Sequence, residues 1–202
     1  VTESADNVTL ADKRRTATAK EISRCAQRLT DERGLDGFTM DELAEQVGVS
    51  RRTLFNYVPG KIDAVLGPDV CDGPDPFAAF RAGGPTGELM ADMRDAGETV
   101  LRSEEKDFEN IAVLHRLLRS DARLMKALHE RLEGVAELLS EAIVEREGSD
   151  FDPYHARVLA RLSLCIFDAA IAEFVADESV PVADHYLRVF DAATELFSDN
   201  AS

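Results

Sequence analysis

The sequence predicts an all-α fold, in which a short three-helix unit is followed by a longer helical bundle. Three observations carry that prediction. Apolar residues recur with the 3.6-residue period of helices, and no segment keeps the period-two alternation of a strand. No Asn-Gly or Asp-Gly turn joins two β-branched runs. Glycine and proline are concentrated at 67–87, where they fill nine of 21 positions, and Pro153 and Pro181 stand just ahead of long helical patterns. Proline is tolerated in a first helical turn and disruptive inside a helix, so these positions mark helix starts.

In chain order, the periodicity predicts helices at about 12–33, 39–47, 50–57, 60–66, 88–103, 108–120, 123–147, 153–177 and 182–198. The first presents Ile22, Cys25, Ala26 and Leu29 on one face. The second opens with a capping box, Thr39 as N-cap and Glu42 three residues on. Met40, Leu43, Ala44 and Val47 then form its buried face, and Gly48 ends it where a positive φ is needed. Val49 plugs the corner and Ser50 caps the third helix. Two short helices joined by a Gly-containing turn make a helix-turn-helix, and the first helix completes its core. The organisation read from this is a unit at 12–66, a Gly/Pro-rich connector at 67–87 and a second unit at 88–202.

Composition bounds the function. The chain has 202 residues, 45% of them hydrophobic, enough for a sizeable core. No run of about 18 apolar residues occurs, so no membrane span is expected. Residues 1–13 lack the apolar core of a signal peptide, and a cytoplasmic protein is expected. Three widely spaced cysteines without a CxxC pair agree with a reducing compartment. Cys25 and Cys165 lie on apolar stripes and are expected to be buried. Cys71 lies in the connector, where a redox role is left open.

The charge is −16, from 23 Lys+Arg against 39 Asp+Glu, and an even coat of that sign would repel a polyanion. It is not even. Residues 1–66 carry 10 bases and 11 acids, whereas residues 67–202 carry 13 and 28. Residues 13–33 alone hold seven bases and three acids. The first unit is locally basic, and the acidity belongs mostly to the second.

The third helix carries the chemistry. Leu54 and Val58 turn inward and leave Arg51, Arg52, Thr53, Asn56 and Tyr57 for the outer face and flanks. Arginine bonds guanine in a bidentate manner, asparagine does the same to adenine, and threonine and tyrosine reach phosphates or the thymine methyl. Lys61 and the first-turn amides after Thr39 and at Lys61 are suited to phosphates. Ser50, as the cap, belongs to the same surface.

The run GLDGFTMDELAEQVGVSRRTLFNYVPGKIDAVL resembles the DNA-binding domain of the TetR family of bacterial transcriptional regulators, over about residues 13–66. Two positions depart from the family pattern: Val58 where phenylalanine is usual and Gly60 where serine is common. The resemblance implies that Arg14 and Arg15 lie near the DNA backbone, that Thr39, Tyr57 and Lys61 hold phosphates, and that Arg51, Arg52, Thr53 and Asn56 face the groove. It further implies a homodimer that binds double-stranded DNA and a helical second domain that dimerises and takes a small-molecule effector.

For the effector site the central helices offer Met90, Met93, Ile111, Leu114, Leu117, Leu118, Met125, Leu128 and Phe167, of which Met93, Leu114, Leu117, Met125 and Phe167 are the chosen candidates. Each is equally a core position. Gly97 and Gly134 sit inside helical patterns at a cost of about 1 kcal/mol each, which leaves either close packing or room for a ligand. For the dimer face, Ile166, Ala170 and Phe174 on one helix and Val189, Ala193 and Phe197 on the last are expected to build a four-helix interface, with internal core as the alternative.

Enzyme signatures are incomplete. His129–Glu133 begins like HExxH but lacks the second histidine, and no Gly-x-Ser-x-Gly elbow or phosphate-loop ending occurs. Asp152 and His155 are spaced for a metal, but they open a helix where aspartate is a natural cap. No enzyme activity, cofactor or metal is expected. The expected function is a ligand-responsive transcriptional repressor that binds a palindromic operator as a homodimer and is released by a small, apolar effector. The alternative is an acidic helical dimer acting through protein contacts.

Overall fold

The computed structural model describes residues 10–68, 75, 77–103 and 109–198. Among these there are ten helices and no strand. They are α1 (Leu10–Arg33), α2 (Met40–Val47), α3 (Arg51–Phe55), α4 (Lys61–Leu66), α5 (Ala78–Arg81), α6 (Leu89–Ser103), α7 (Glu109–Ser120), α8 (Ala122–Glu147), α9 (Pro153–Ala176) and α10 (Val182–Ser198). No helix among the described residues is long and apolar enough to cross a membrane.

The chain folds into two compact units. The first joins residues 1–72 to residues 113–128, and the second joins 73–112 to 129–202. This differs from a boundary placed at the connector. The end of α7 and the start of α8 belong to the first unit with α1–α4. Leu117, Leu118 and Leu124 enter the first unit's core beside Ile22, Leu29, Leu43, Leu54 and Val65. Two bidentate ion pairs hold this segment. Arg116 donates to both carboxylate oxygens of Asp31 (3.1 and 2.7 Å), and Arg123 donates to both of Asp36 (3.1 and 2.9 Å). Hydrogen bonding to Arg123 lowers the Asp36 pKa.

The core of the first unit follows from the sequence pattern. Leu29 and Ile22 of α1 meet Leu43 of α2 and Leu54 of α3, all fully buried. Val58 is also buried and serves as a smaller plug where phenylalanine is usual. Gln27 is buried beneath α4, and its amide donates to the Val65 carbonyl at 2.9 Å.

In the second unit, α9 and α10 pack along each other, α10 packs on α6, and α5 lies on α6. The core gathers Phe80, Met93, Ile143, Ala156, Ala160, Ala170, Phe174, Val182, Tyr186 and Phe190. Asp152 caps α9 by accepting from the Tyr154 amide (2.8 Å), with Pro153 at the first helical position. The connector is less irregular than its composition suggests. It contains α5, and its last turn is tied down by a buried carboxylate. Asp92 accepts from the Thr86 amide and hydroxyl (2.8 and 2.7 Å), from the Gly87 amide (3.1 Å) and from Arg146. Burial raises the Asp92 pKa, but the bonds from Thr86 and Arg146 outweigh it and hold it at about 2. Arg146 also donates to the Phe80 carbonyl (3.1 Å) and covers the Phe80 ring at 4.7 Å. One buried ion pair thus joins α5, the turn before α6, α6 itself and α8.

Candidate DNA interface and effector cavity

The helix-turn-helix is built by its caps. Thr39 Oγ1 accepts from the Glu42 amide (3.1 Å), and the Glu42 carboxylate accepts from the Thr39 amide (2.7 Å), which closes the capping box. The Thr39 hydroxyl also donates to that carboxylate at 3.0 Å. Thr39 is therefore fully engaged as a cap, and the bonds from its amide and hydroxyl lower the Glu42 pKa. Gly48 follows α2 with φ 76°, a left-handed conformation that costs a residue without Cβ little. Its amide donates back to the Glu45 carbonyl and Val49 donates to that of Ala44, which reverses the chain within one turn.

Ser50 then starts α3. Its Oγ accepts from the Thr53 amide at 3.0 Å and shares a 2.7 Å hydrogen bond with the Thr53 hydroxyl. The helix is short and ends at Phe55, so Asn56 and Tyr57 stand in the following turn rather than on the helix. Leu54 points inward, while Arg51, Arg52 and Asn56 are exposed and Thr53 and Tyr57 half-exposed. Arg51 donates to Asp41 at 2.8 Å and lies over the Phe55 ring. The Arg52 guanidinium and the Asn56 side-chain carboxamide have no partner among the described residues.

Arg15 of α1 lies 5.6 Å from the centre of the Tyr57 ring, so the start of α1 and the turn after α3 meet at one edge of the surface. Arg14 is exposed beside it. Lys61 is half-buried. It donates to the Leu35 carbonyl at 3.1 Å and sits over Phe38, which leaves two of its three N–H donors for another partner. Not all of the basic stretch at 13–33 is free. Arg24 pairs with Glu21, Arg28 with Glu32 and Arg33 with Glu42. The positive surface narrows to the residues around α3 and the start of α1.

The second unit contains a cavity of about 200 Å³. Its walls come from α5 (Phe80), α6 (Met93, Asp95, Gly97, Thr99, Val100), α8 (Leu139), α9 (Ser163, Phe167) and α10 (Tyr186). Gly97 is required here. A Cβ at this position would stand 2.1 Å from the Tyr186 hydroxyl and 2.3 Å from the ring carbon that bears it. Tyr186 uses that space to donate to the Met93 carbonyl at 3.3 Å and to stack against Phe167, ring centres 4.8 Å apart. Burial pushes the Tyr186 phenol well above its usual pKa.

The structure brings together only part of the sequence-based effector set. Met93 and Phe167 line the cavity. Leu117 and Leu114 pack into the first unit's core instead, and Met125 is exposed. Those three lie around the α7–α8 junction, whose apolar face packs into the first unit's core. Of the remaining central positions, Leu118 and Leu128 share that core, Ile111 packs in the second core, and Met90 is exposed. The cavity residues that sequence reasoning missed, chiefly Phe80, Asp95 and Tyr186, come from α5, from the polar side of α6 and from a helix assigned to dimerisation.

The dimer candidates also divide. Ala170 and Phe174 face the core of their own chain, and Ile166 is half-buried against it. Val189 and Ala193 are half-exposed, and the Phe197 side chain lies outside the described residues. The outward stripe of α9 is a different one: Tyr154, Val158, Leu162 and Cys165 are exposed, with Ala169 half-exposed below them. Cys165 was expected to be buried and is not, because it belongs to this outer stripe. Cys25 is buried as expected, and Cys71 lies outside the described residues.

Comparison with known proteins gives a match for the first unit. Residues 22–63 match the family described as bacterial regulatory proteins, tetR family. A comparison with curated proteins gives no match. The matched segment runs from the buried face of α1 through both caps and α3 to the start of α4, and thus covers the whole helix-turn-helix. Residues 22–63 are thus similar to the helix-turn-helix DNA-binding domain of the tetR family of bacterial regulatory proteins.

Proposed function

We propose that the protein is a homodimeric repressor that binds a palindromic operator and is released by a small effector taken into the second unit. The observation that carries this reading is the surface around α3. Arg51, Arg52, Thr53 and Asn56 stand on or just after a helix fixed at its start by Ser50, and Arg14, Arg15, Tyr57 and Lys61 flank it. In this reading the first group enters a major groove and the second holds the backbone. Thr39 contributes by fixing α2. A two-fold dimer would place two such heads on half-sites about 34 Å apart or a multiple of it.

The outward stripe of α9 supports the dimer. Val158, Leu162, Cys165 and Ala169 follow one another at helical spacing, and an unpaired apolar stripe of that kind is the natural material of an isologous interface. Effector control is supported by the cavity and by helix continuity. α8 carries Leu124 in the first unit's core and Leu139 on the cavity wall. An effector that binds one arrangement of α8 more tightly than another would shift the spacing of the reading heads and weaken DNA binding.

A gel shift with DNA from upstream of the protein's own gene tests the reading. The wild type is expected to shift a discrete fragment, and the Arg51→Ala/Arg52→Ala double variant is expected to lose specific binding while keeping its oligomeric mass. Specific binding retained by the double variant contradicts the groove assignment. Dimers that bind no DNA favour the alternative reading, an acidic helical dimer acting through protein contacts.

A further inference from the structure

The cavity of the second unit has a charge pattern that selects among effectors. Its walls are aromatic and apolar: Phe77, Phe80, Met93, Leu139, Phe167 and Tyr186. Among the described residues, no lysine, arginine or histidine lines it. Two carboxylates do. Asp92 is saturated, with four hydrogen bonds from Thr86, Gly87 and Arg146, and its charge is balanced by the Arg146 guanidinium. Asp95, one helical turn further along α6, is exposed and has no ion-pair or hydrogen-bond partner among the described residues. The nearest arginine in sequence, Arg94, is committed to Asp191 through two bonds of 2.7 and 3.0 Å. The rim thus carries one unbalanced negative charge above a pocket of aromatic rings.

We infer that this cavity binds a small organic cation, with its charged head at Asp95 and its apolar body among Phe80, Phe167 and Tyr186. A cation gains twice there. It meets an uncompensated carboxylate beside low-dielectric walls, and ring faces attract positive charge. An anion meets the uncompensated Asp95 carboxylate, and the guanidinium beside the wall, Arg146, is committed to Asp92. A neutral molecule of the same shape gains only the apolar contacts. The net charge of the chain, −16, acts in the same direction at longer range.

The inference deepens the effector-controlled reading and borrows its biological meaning from it, but binding is measurable without DNA. Equilibrium dialysis of the full chain against three probes of similar size tests it: benzyltrimethylammonium, its uncharged carbon isostere neopentylbenzene, and phenylacetate. The cation is expected to bind about tenfold more tightly than the isostere, and phenylacetate is expected not to bind. Asp95→Asn is expected to remove the preference and leave neopentylbenzene binding unchanged. Glu98→Gln, on the same helix but paired with Arg102 outside the cavity, is expected to retain it. Equal binding of cation and isostere, a preference that survives Asp95→Asn, or no binding of any probe overturns the inference. A second arm adds the cation to the protein–DNA complex. A cation that binds with the Asp95-dependent preference yet leaves DNA affinity unchanged supports the site and contradicts effector control, so the two failures are told apart.

Discussion

At the scale of single residues, the reading head separates the side chains that build it from those left to act. Thr39 spends its hydroxyl and its amide on Glu42, so Thr39→Ala is expected to cost about 1 kcal/mol of stability, read by chemical denaturation. Arg52 is spent on nothing within the described residues. Arg52→Ala is expected to leave stability unchanged and to weaken operator binding about 10- to 100-fold, the scale of one lost bidentate base contact. Arg51 is tethered to Asp41, but both side chains are exposed, and such a surface pair is weak enough to exchange for a DNA partner. Gly97 shows the opposite dependence, on an absent atom. Gly97→Ala is expected to destabilise the second unit by about 1–3 kcal/mol, because the new methyl group falls on Tyr186.

At the scale of elements, α2 and α3 were legible because each carries local signals: the capping box, the Gly48 turn and the Ser50 cap lie within a few residues of what they bound. The long helices were legible from periodicity to within one or two residues. What periodicity withheld was the partner of each apolar face. The apolar stripe around the α7–α8 junction announces burial, but only the fold assigns it to α1–α4. α9 carries apolar residues on two faces, so its core residues Ala170 and Phe174 could not be told from its outward residues Val158 and Leu162. α5 spans four residues in a Gly/Pro-rich stretch, too short for any period to register. The Asp92–Arg146 pair joins positions 54 apart, and no spacing rule reaches that far. That pair makes a pH prediction. The folded pKa of Asp92, about 2, lies below its usual 3.8, so its contribution is complete above pH 3.8 and is lost as pH falls toward 2. Asp92→Asn is expected to lower the melting temperature at pH 7 and to flatten the loss of stability between pH 4 and pH 2, measured by thermal unfolding at successive pH values.

For the whole molecule, the net charge of −16 is consistent with DNA binding because the first 66 residues are nearly neutral and their unpaired bases gather around α3 and the start of α1. The proposed dimer makes its own prediction. Leu162→Glu places a charge in the outward stripe of α9, where the side chain is exposed in the single chain, and is expected to convert the dimer to a folded monomer by light scattering with weakened operator binding. The central claim is that the α3 surface reads DNA and that phosphate neutralisation supplies much of its affinity. Fluorescence anisotropy with a labelled upstream fragment, titrated in salt for the wild type and for the Arg51→Ala/Arg52→Ala variant, tests it most directly. The account predicts that wild-type affinity falls steeply and linearly in log–log coordinates as salt rises. It also predicts that the double variant binds specific and scrambled fragments alike. A wild type indifferent to salt, or a double variant that still prefers the specific fragment, would contradict it.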